Sequence, residues 1–469
     1  MSPRPRDDPA AGAPRWPLSE VLEAMVDQGL EEAEVYVKRG RSRRLETTLH
    51  TESSGFHHER GWAVRAGGPR ASFFLAGTGD PSPEGPWPAP DGRPLRLPDP
   101  VSATSWQEPA DFDAPLTGER EGFQLLAAIA RELDTELPGT RLLHALLEDG
   151  SSESEVRSQR GIHAHWKSRV AALRLTATVP ASKLRRTASR RGLGSDRHRE
   201  PVQATLVLAE REARRFHPQA VARRLADRLV VRAGPPPEIE RDRGEVLLAP
   251  AVVRRLLGAL TPLLVGPRAA SRVGRFHDRR GHIGGDLLTL VDDGGLDGGL
   301  LTAPVDGEGM PSREVVLVEA GVFRQPLVAW NQVRGLEAVA SGCARRASWR
   351  DLPVPGPTHL YLAAGSTPVA GLLAEVARGY YFLETTGAPR MDFDGDAFQV
   401  PVAGFAVGRG RAAEPVSGVV LQGAVSSLLR NLHGAGRDLT YAPEEAGLLG
   451  TPSLLVSGLE VRCARPAGD

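Results

Sequence analysis

Residues 287–321 most constrain the fold, because they set a paired acid, Asp292-Asp293, a Gly-rich turn and the motif Asp306-Gly307-Glu308-Gly309 directly before an alternating pattern. Residues 313–319 and 322–328 are extended runs that flank Glu319-Ala320-Gly321, which predicts a hairpin. Further extended runs follow at 358–363, 379–384, 399–407, 416–421 and 453–461, and helical spacing interrupts them at 368–378 and 423–432. So many strands need covered edges. The C-terminal region, 238–469, is therefore expected to be β-rich, with a largely antiparallel sheet that can close on itself in a barrel-like way.

Upstream, residues 1–16 read as a Pro- and Ala-rich tail, and residues 18–28 have helical spacing. Short extended runs then occur at 34–37, 43–50, 61–66 and 70–76, giving a small α/β subdomain over 17–79. The density of Pro, Gly and Asp in 80–117 marks a linker or long surface loop. A second α/β subdomain, 118–237, is read from helical spacing at 123–137, 141–147 and 218–231, with extended runs at 161–170 and 172–179. The helix 251–264 opens the C-terminal unit, with Pro262 against its last turn. The fold class is thus α+β, an N-terminal mixed α/β region followed by a β-rich domain.

A length of 469 residues exceeds one ordinary core, and 52 Gly and 39 Pro fit many turns. Basic and acidic residues balance at 58 each, so no global field draws the chain to nucleic acid or an anionic membrane. The run 183–199 is locally basic, but no aromatic residue interleaves it for base stacking, and it reads as a solvated loop. No apolar run is long enough for a signal peptide or a membrane span, so a cytoplasmic address is expected. Cys343 and Cys463 lack a Cys-x-x-Cys spacing and read as idle thiols.

Several groups merit testing as sites. His163 and His165 share one face of an extended run and could clamp a metal, although no third ligand is evident. His57-His58-Glu59 would point to opposite faces if extended and reads as a turn. Asp392, Asp394 and Asp396 echo a calcium loop, yet Gly falls at position four and Ala403 occupies position twelve. Asp292, Asp293, Asp306 and Glu308 could pair for acid–base work, but Asp-Gly sequences are first of all turn formers. No Gly-x-Ser-x-Gly or P-loop supplies another catalytic class.

Read in order, Glu34-Val35-Tyr36, Arg60-Gly61-Trp62-Ala63-Val64-Arg65, Val291-Asp292-Asp293, Asp306-Gly307-Glu308-Gly309, Gly342-Cys343-Ala344-Arg345-Arg346, Tyr361-Leu362-Ala363-Ala364-Gly365 and Thr451-Pro452-Ser453-Leu454-Leu455-Val456 resemble the TldD/PmbA family of peptidases and peptidase partners. The resemblance implies dimers around an enclosed chamber. It also implies a catalytic type, with a His-Glu-x-x-x-His helix, that binds zinc and cuts unstructured peptides, and a metal-free TldE (PmbA) companion. Here Gly258, Ala259 and Leu263 stand at the family's two His and one Glu positions, and no Cys stands in 434–438, near the catalytic type's late ligand. His277 and His282 match the motif's spacing with Asp278 for Glu, but the neighbouring glycines argue against a ligand-bearing helix.

The leading expectation is a metal-free subunit that pairs with a TldD-type zinc peptidase, or with itself, and helps to hold an unstructured peptide. One alternative is an active metallopeptidase with ligands relocated to His277, His282, His163 or His165. The other is a non-enzymatic homodimer that binds peptide or nucleic acid through the basic run.

Overall fold

The computed structural model describes residues 16–85, 87–100, 112, 114–180, 183–184, 201–236, 241–333 and 340–464. The expected tail, apart from Trp16, and the basic run beyond Leu184 lie outside the described residues.

In the N-terminal half the elements are α1 (Leu18–Asp27), β1 (Glu32–Thr48), β2 (Glu52–Gly67), β3 (Ser72–Thr78), α2 (Glu119–Glu136), β4 (Arg141–Ser158), β5 (His163–Val179), β6 (Val202–Glu210) and α3 (Pro218–Arg232). The strands form one antiparallel sheet, ordered β3-β2-β1-β4-β5-β6. Pairing of β1 with β4, from Glu34 opposite Ser158 to Thr48 opposite His144, joins the segments on either side of 80–117. That stretch therefore connects two parts of a single sheet. The cores beneath remain separate: α1 packs with Val35, Val37 and Val64, whereas α2 and α3 pack with Leu45, Leu147 and Leu173.

Two local expectations fail for one reason. Residues 141–147 have Leu spacing compatible with a helix, yet they begin β4, where Ala145 and Leu147 alternate inward between β1 and β5. Likewise His57, His58 and Glu59 lie inside β2 and not in a turn. Long-range pairing overrides local propensity in both places.

The C-terminal half opens with β7 (Arg241–Asp242), β8 (Glu245–Leu248), α4 (Pro250–Leu264) and α5 (Ala269–Val273). Next come β9 (Leu290–Asp293), β10 (Glu314–Glu319), β11 (Val322–Phe323), β12 (Ala344–Arg345), β13 (Val354–Pro355), β14 (His359–Leu362) and α6 (Val369–Glu375). The chain continues through β15 (Arg378–Thr385), β16 (Arg390–Asp392), β17 (Ala397–Gly408), β18 (Arg411–Gly423) and α7 (Val425–Arg430). It closes with β19 (Leu432–Ala435), β20 (Thr440–Glu444), β21 (Gly447–Thr451), β22 (Leu454–Val456) and β23 (Glu460–Cys463).

One sheet runs β11-β10-β9-β14-β21-β20 and another β19-β22-β8-β15-β17-β18-β23-β7, with β16 beside β17. Only β14–β21 and β15–β8 are parallel among the described pairs of these sheets. The α+β class and the largely antiparallel character hold. Barrel-like closure does not, because β19 and β7 end the larger sheet without pairing to each other among the described residues. Helix α4 buries Val252, Val253, Leu256, Leu257, Leu260, Leu263 and Leu264 in the core between the sheets, and Pro262 is tolerated because it sits exposed in the last turn. At Gly404 a Cβ would strike the Tyr381 carbonyl and lie 2.6 Å from the Phe382 Cα, so the β15–β17 approach needs glycine. Gly404→Ala is expected to lower stability by about 1–3 kcal/mol in chemical denaturation.

Candidate functional site

The helix expected to bear the family's ligands is present, but the side chains at the three expected positions are packing groups. Gly258 and Ala259 are half-buried on α4, a Cβ at Gly258 would sit 3.5 Å from Leu449 Cδ1, and Leu263 is buried in the core. A zinc site needs about three N, O or S donors, and these three residues offer none. In the segment 434–438 the Asp438 carboxylate is committed to Ser453, accepting from its N–H at 2.9 Å and its hydroxyl at 2.7 Å. The residues present do not fit the zinc that the resemblance implies for catalytic members.

The acids of the sequence motif assemble elsewhere, into a buried chain of charges at the junction of the two halves. Glu34 and Arg65 face each other across β1 and β2. Arg65 grips Glu34 through Nε at 3.1 Å and Nη2 at 2.6 Å, while its Nη1 donates to Glu308 at 3.2 Å. Arg346 donates to the same Glu34 at 2.7 Å and to the Gly307 carbonyl at 3.0 Å, and it lies over the Tyr36 ring. Two arginines thus alternate with two carboxylates, and none of the four side chains is more than 5% exposed. In so dry a place the balance of charge and the forked Arg65–Glu34 geometry offset desolvation.

Asp306 holds the loop that carries Glu308. It accepts the N–H groups of Glu308 at 2.8 Å, Met310 at 3.0 Å and Ala344 at 2.9 Å. Burial, helped by the nearby Glu308 charge, pushes its pKa up to about 7, and burial also raises that of Glu308 against the pull of Arg65. Gly309 turns at φ +81°, where a Cβ would lie 2.8 Å from Ile162 Cγ2. A Cβ on Gly61 would strike the Trp349 indole. Both glycines therefore let the halves approach, and Tyr36, Val156, Ile162, Val305 and Trp349 make an apolar seam beside the ions.

Asp292 is equally occupied, accepting the Thr358 N–H at 2.7 Å, and burial pushes its pKa up to about 6. Asp293 accepts from Gly295 N–H at 2.9 Å as a turn former. Sequence reasoning gave no role to His359, which is fully buried. Its Nδ1–H donates to the Asp293 carbonyl at 2.8 Å and its Nε2 accepts from Leu301 N–H at 3.1 Å, so both ring nitrogens are used. Burial pushes its pKa down to about 4. The one available signal was a lone His in an apolar strand.

Other candidates are dispersed. His163 pairs with Glu155 at 3.0 Å and His165 with Glu153 at 2.5 Å, each taking its own carboxylate. His277 and His282 flank a turn closed by Asp278, whose carboxylate accepts from Arg280 N–H at 2.7 Å and His282 N–H at 2.9 Å. Asp392 accepts from Gly395 N–H at 2.9 Å, Asp394 pairs with Arg275, and Asp396 accepts from Ser426 N–H at 2.8 Å, so the three do not converge. Among the described residues no group of three or more His, Cys, Asp or Glu is placed to hold a metal ion. No helix among them is long and apolar enough to cross a membrane. A cavity of about 700 Å³ lies over the transverse row Arg390, Gln399, Gln422 and Glu460, whose amides and charges suit a polar ligand.

Residues 241–463 match the PmbA/TldA metallopeptidase C-terminal domain. A metalloprotease TldD homolog of Haemophilus influenzae is 27% identical over 147 residues, 31% of this chain and 30% of that protein. A metalloprotease of Methanothermobacter thermautotrophicus is 32% identical over 33% of this chain and 34% of its own length. Metalloprotease PmbA of Escherichia coli O157:H7 is 25% identical over 48% of each. The chain thus matches about a third to a half of these relatives' length. The crystal structure of TldE from Thermococcus kodakarensis superimposes with a TM-score of 0.79 at 16% identity, covering 95% of this chain and 99% of that one. The chain belongs to the TldD/PmbA family, and its fold is TldE-like.

Two outcomes test the site. Arg65→Met strands the buried Glu308 and takes one of the two arginines from Glu34, and is expected to destabilise by about 3–5 kcal/mol in urea denaturation, more than Arg60→Met at the exposed Asp80 pair. His359 binds its proton less readily folded than unfolded, so its contribution is complete above pH 6.5 and lost as pH falls towards about 4. Asp306 has the opposite sign, its contribution declining as pH rises from about 4 towards 7. His359→Asn should therefore remove on the order of 3 kcal/mol of the acid-side loss, read from denaturation midpoints across pH 4–7.

Proposed function

We propose that this chain is a metal-free subunit of a TldD/PmbA-type peptidase pair. It would join a TldD-type zinc subunit in the cytoplasm and help to bind and process unstructured peptides. The reading rests on α4, where Gly258, Ala259 and Leu263, at the positions that the resemblance gives to two ligands and a base, offer no metal donor and the apolar face packs into the core. The TldE-like fold over nearly the whole chain supports it. The family acids Asp306 and Glu308 are buried in loop and ion contacts, away from any open position for a substrate. Relocated ligands lack support, since His163, His165, His277 and His282 sit in separate local contacts.

The test is purification with and without a TldD-type subunit, followed by incubation with a disordered peptide. Cleavage is expected only from the pair, and a chelator should abolish it. Chelator-sensitive cleavage by this chain alone would overturn the proposal.

A further inference from the structure

Strands β16, β17, β18 and β23 lie side by side, and one residue of each stands directly across from the next: Arg390 opposite Gln399, Gln399 opposite Gln422, and Gln422 opposite Glu460. Residues opposed in this way share a face of the sheet. Alternation sends Phe398, Val400, Leu421 and Val461 into the core against which α4 packs, so the row turns to the other side. There it lines the cavity of about 700 Å³, a size within the range of about 300–1,000 Å³ that holds a small ligand.

Hydration of an outward sheet face needs only a mixture of polar groups. In this row they are sorted, a cation first, then two amides, then a carboxylate. Among the described residues neither Arg390 nor the Gln399 amide has a hydrogen-bonding or ionic partner. At the far end the Glu460 side chain is only 15% exposed, and its cation, Arg243, reaches it at 3.4 Å from a position 78% exposed. A pair so long and so open to water is weak and leaves the carboxylate able to take a second cation. Gln422 donates to Glu460 from Nε2 at 2.8 Å, so its Oε1 stays open as an acceptor.

That order is the complement of a tripeptide with free ends, whose carboxylate, two peptide groups and ammonium follow in the same sequence. The lengths agree as well. Three strand spacings set Arg390 and Glu460 about 14 Å apart. A charge-assisted hydrogen bond of about 2.8 Å at each end leaves about 9 Å for the ligand, close to the span of three extended residues at about 3.3 Å each. A single amino acid cannot reach both charges. We propose that this cavity is a binding site for a short peptide of about three residues with both termini free. Its carboxylate takes Arg390 and the Gln399 amide N–H, its peptide groups bond to the Gln399 and Gln422 amides, and its ammonium takes Glu460. Recognition falls on main-chain groups, so many sequences fit. The site stands on this row, on the face turned away from the α4 core, and does not rest on pairing with a zinc subunit.

Equilibrium dialysis of the full chain against isotopically labelled trialanine tests the site. A dissociation constant on the order of 0.1–1 mM is expected for so few ligand atoms. N-acetyl-trialanine and trialanine amide should each compete at least about tenfold more weakly, because each loses one charge-assisted contact. Arg390→Gln should weaken trialanine by a similar factor and leave the amide's binding unchanged. Glu460→Gln should weaken trialanine and spare the acetylated peptide, and Gln399→Ala replaces it as the second variant if Glu460→Gln fails to fold. A chelator should change nothing, which separates this result from zinc-dependent cleavage by the pair. No retention of label at about 10 mM trialanine would overturn the proposal. So would blocked peptides that compete as well as the free one, or charge variants that bind trialanine as the unaltered chain does.

Discussion

The alternating chain Arg346–Glu34–Arg65–Glu308 is the constraint on which the rest of this molecule depends, because it ties the N-terminal sheet to the C-terminal half where neither charge nor water could be left unpaired. Buried charges of this kind add little net stability compared with apolar packing, yet breaking one contact strands the others. Their worth lies in specifying one docking geometry. Gly61 opens a seat for Trp349, Gly309 lets the Glu308 loop approach Ile162, and Asp306 holds that loop with three backbone hydrogen bonds. The motif residues are thus explained by how two sheets are fastened together.

This changes what the acids mean for function. In an open cleft, Asp306 and Glu308 with raised pKa values would be candidates for acid–base chemistry. Here the same burial that raises them also removes them from substrate, and each oxygen that the network uses points at a backbone or guanidinium donor. At Gly258, Ala259 and Leu263 helix α4 supplies only aliphatic contact. The fold is shared with TldE, and Gly258, Ala259 and Leu263 of α4 offer no metal ligand.

Much of this was legible in the chain. The Gly-rich order before the β10–β11 hairpin, the packing spacing of α4 and the amphipathic α3 follow from local pattern, and all three elements lie close to where that pattern placed them. The residues of the ion chain were visible as charges inside apolar strands, Glu34 beside Val35 and Arg65 after Val64, but Glu308 and Arg346, which complete the chain, lie hundreds of residues away. No short window carries that information. Strand β4 failed for the related reason that its Leu-rich start satisfies a helical template, and only its neighbours β1 and β5 impose a period of two. The continuity of the N-terminal sheet across 80–117 was likewise hidden, since a Pro- and Gly-rich stretch separates strands in sequence without separating them in space.

The most direct test of the central claim is scanning calorimetry of the full chain against Glu34→Gln, which keeps the shape of the side chain and removes the charge that both arginines share. If the ion chain fastens the two halves, the unaltered protein melts in one cooperative transition and the variant in two, the N-terminal sheet separating from the C-terminal half. An unaltered protein that already melts in two steps, or a variant that melts as one unit at an unchanged temperature, would contradict it.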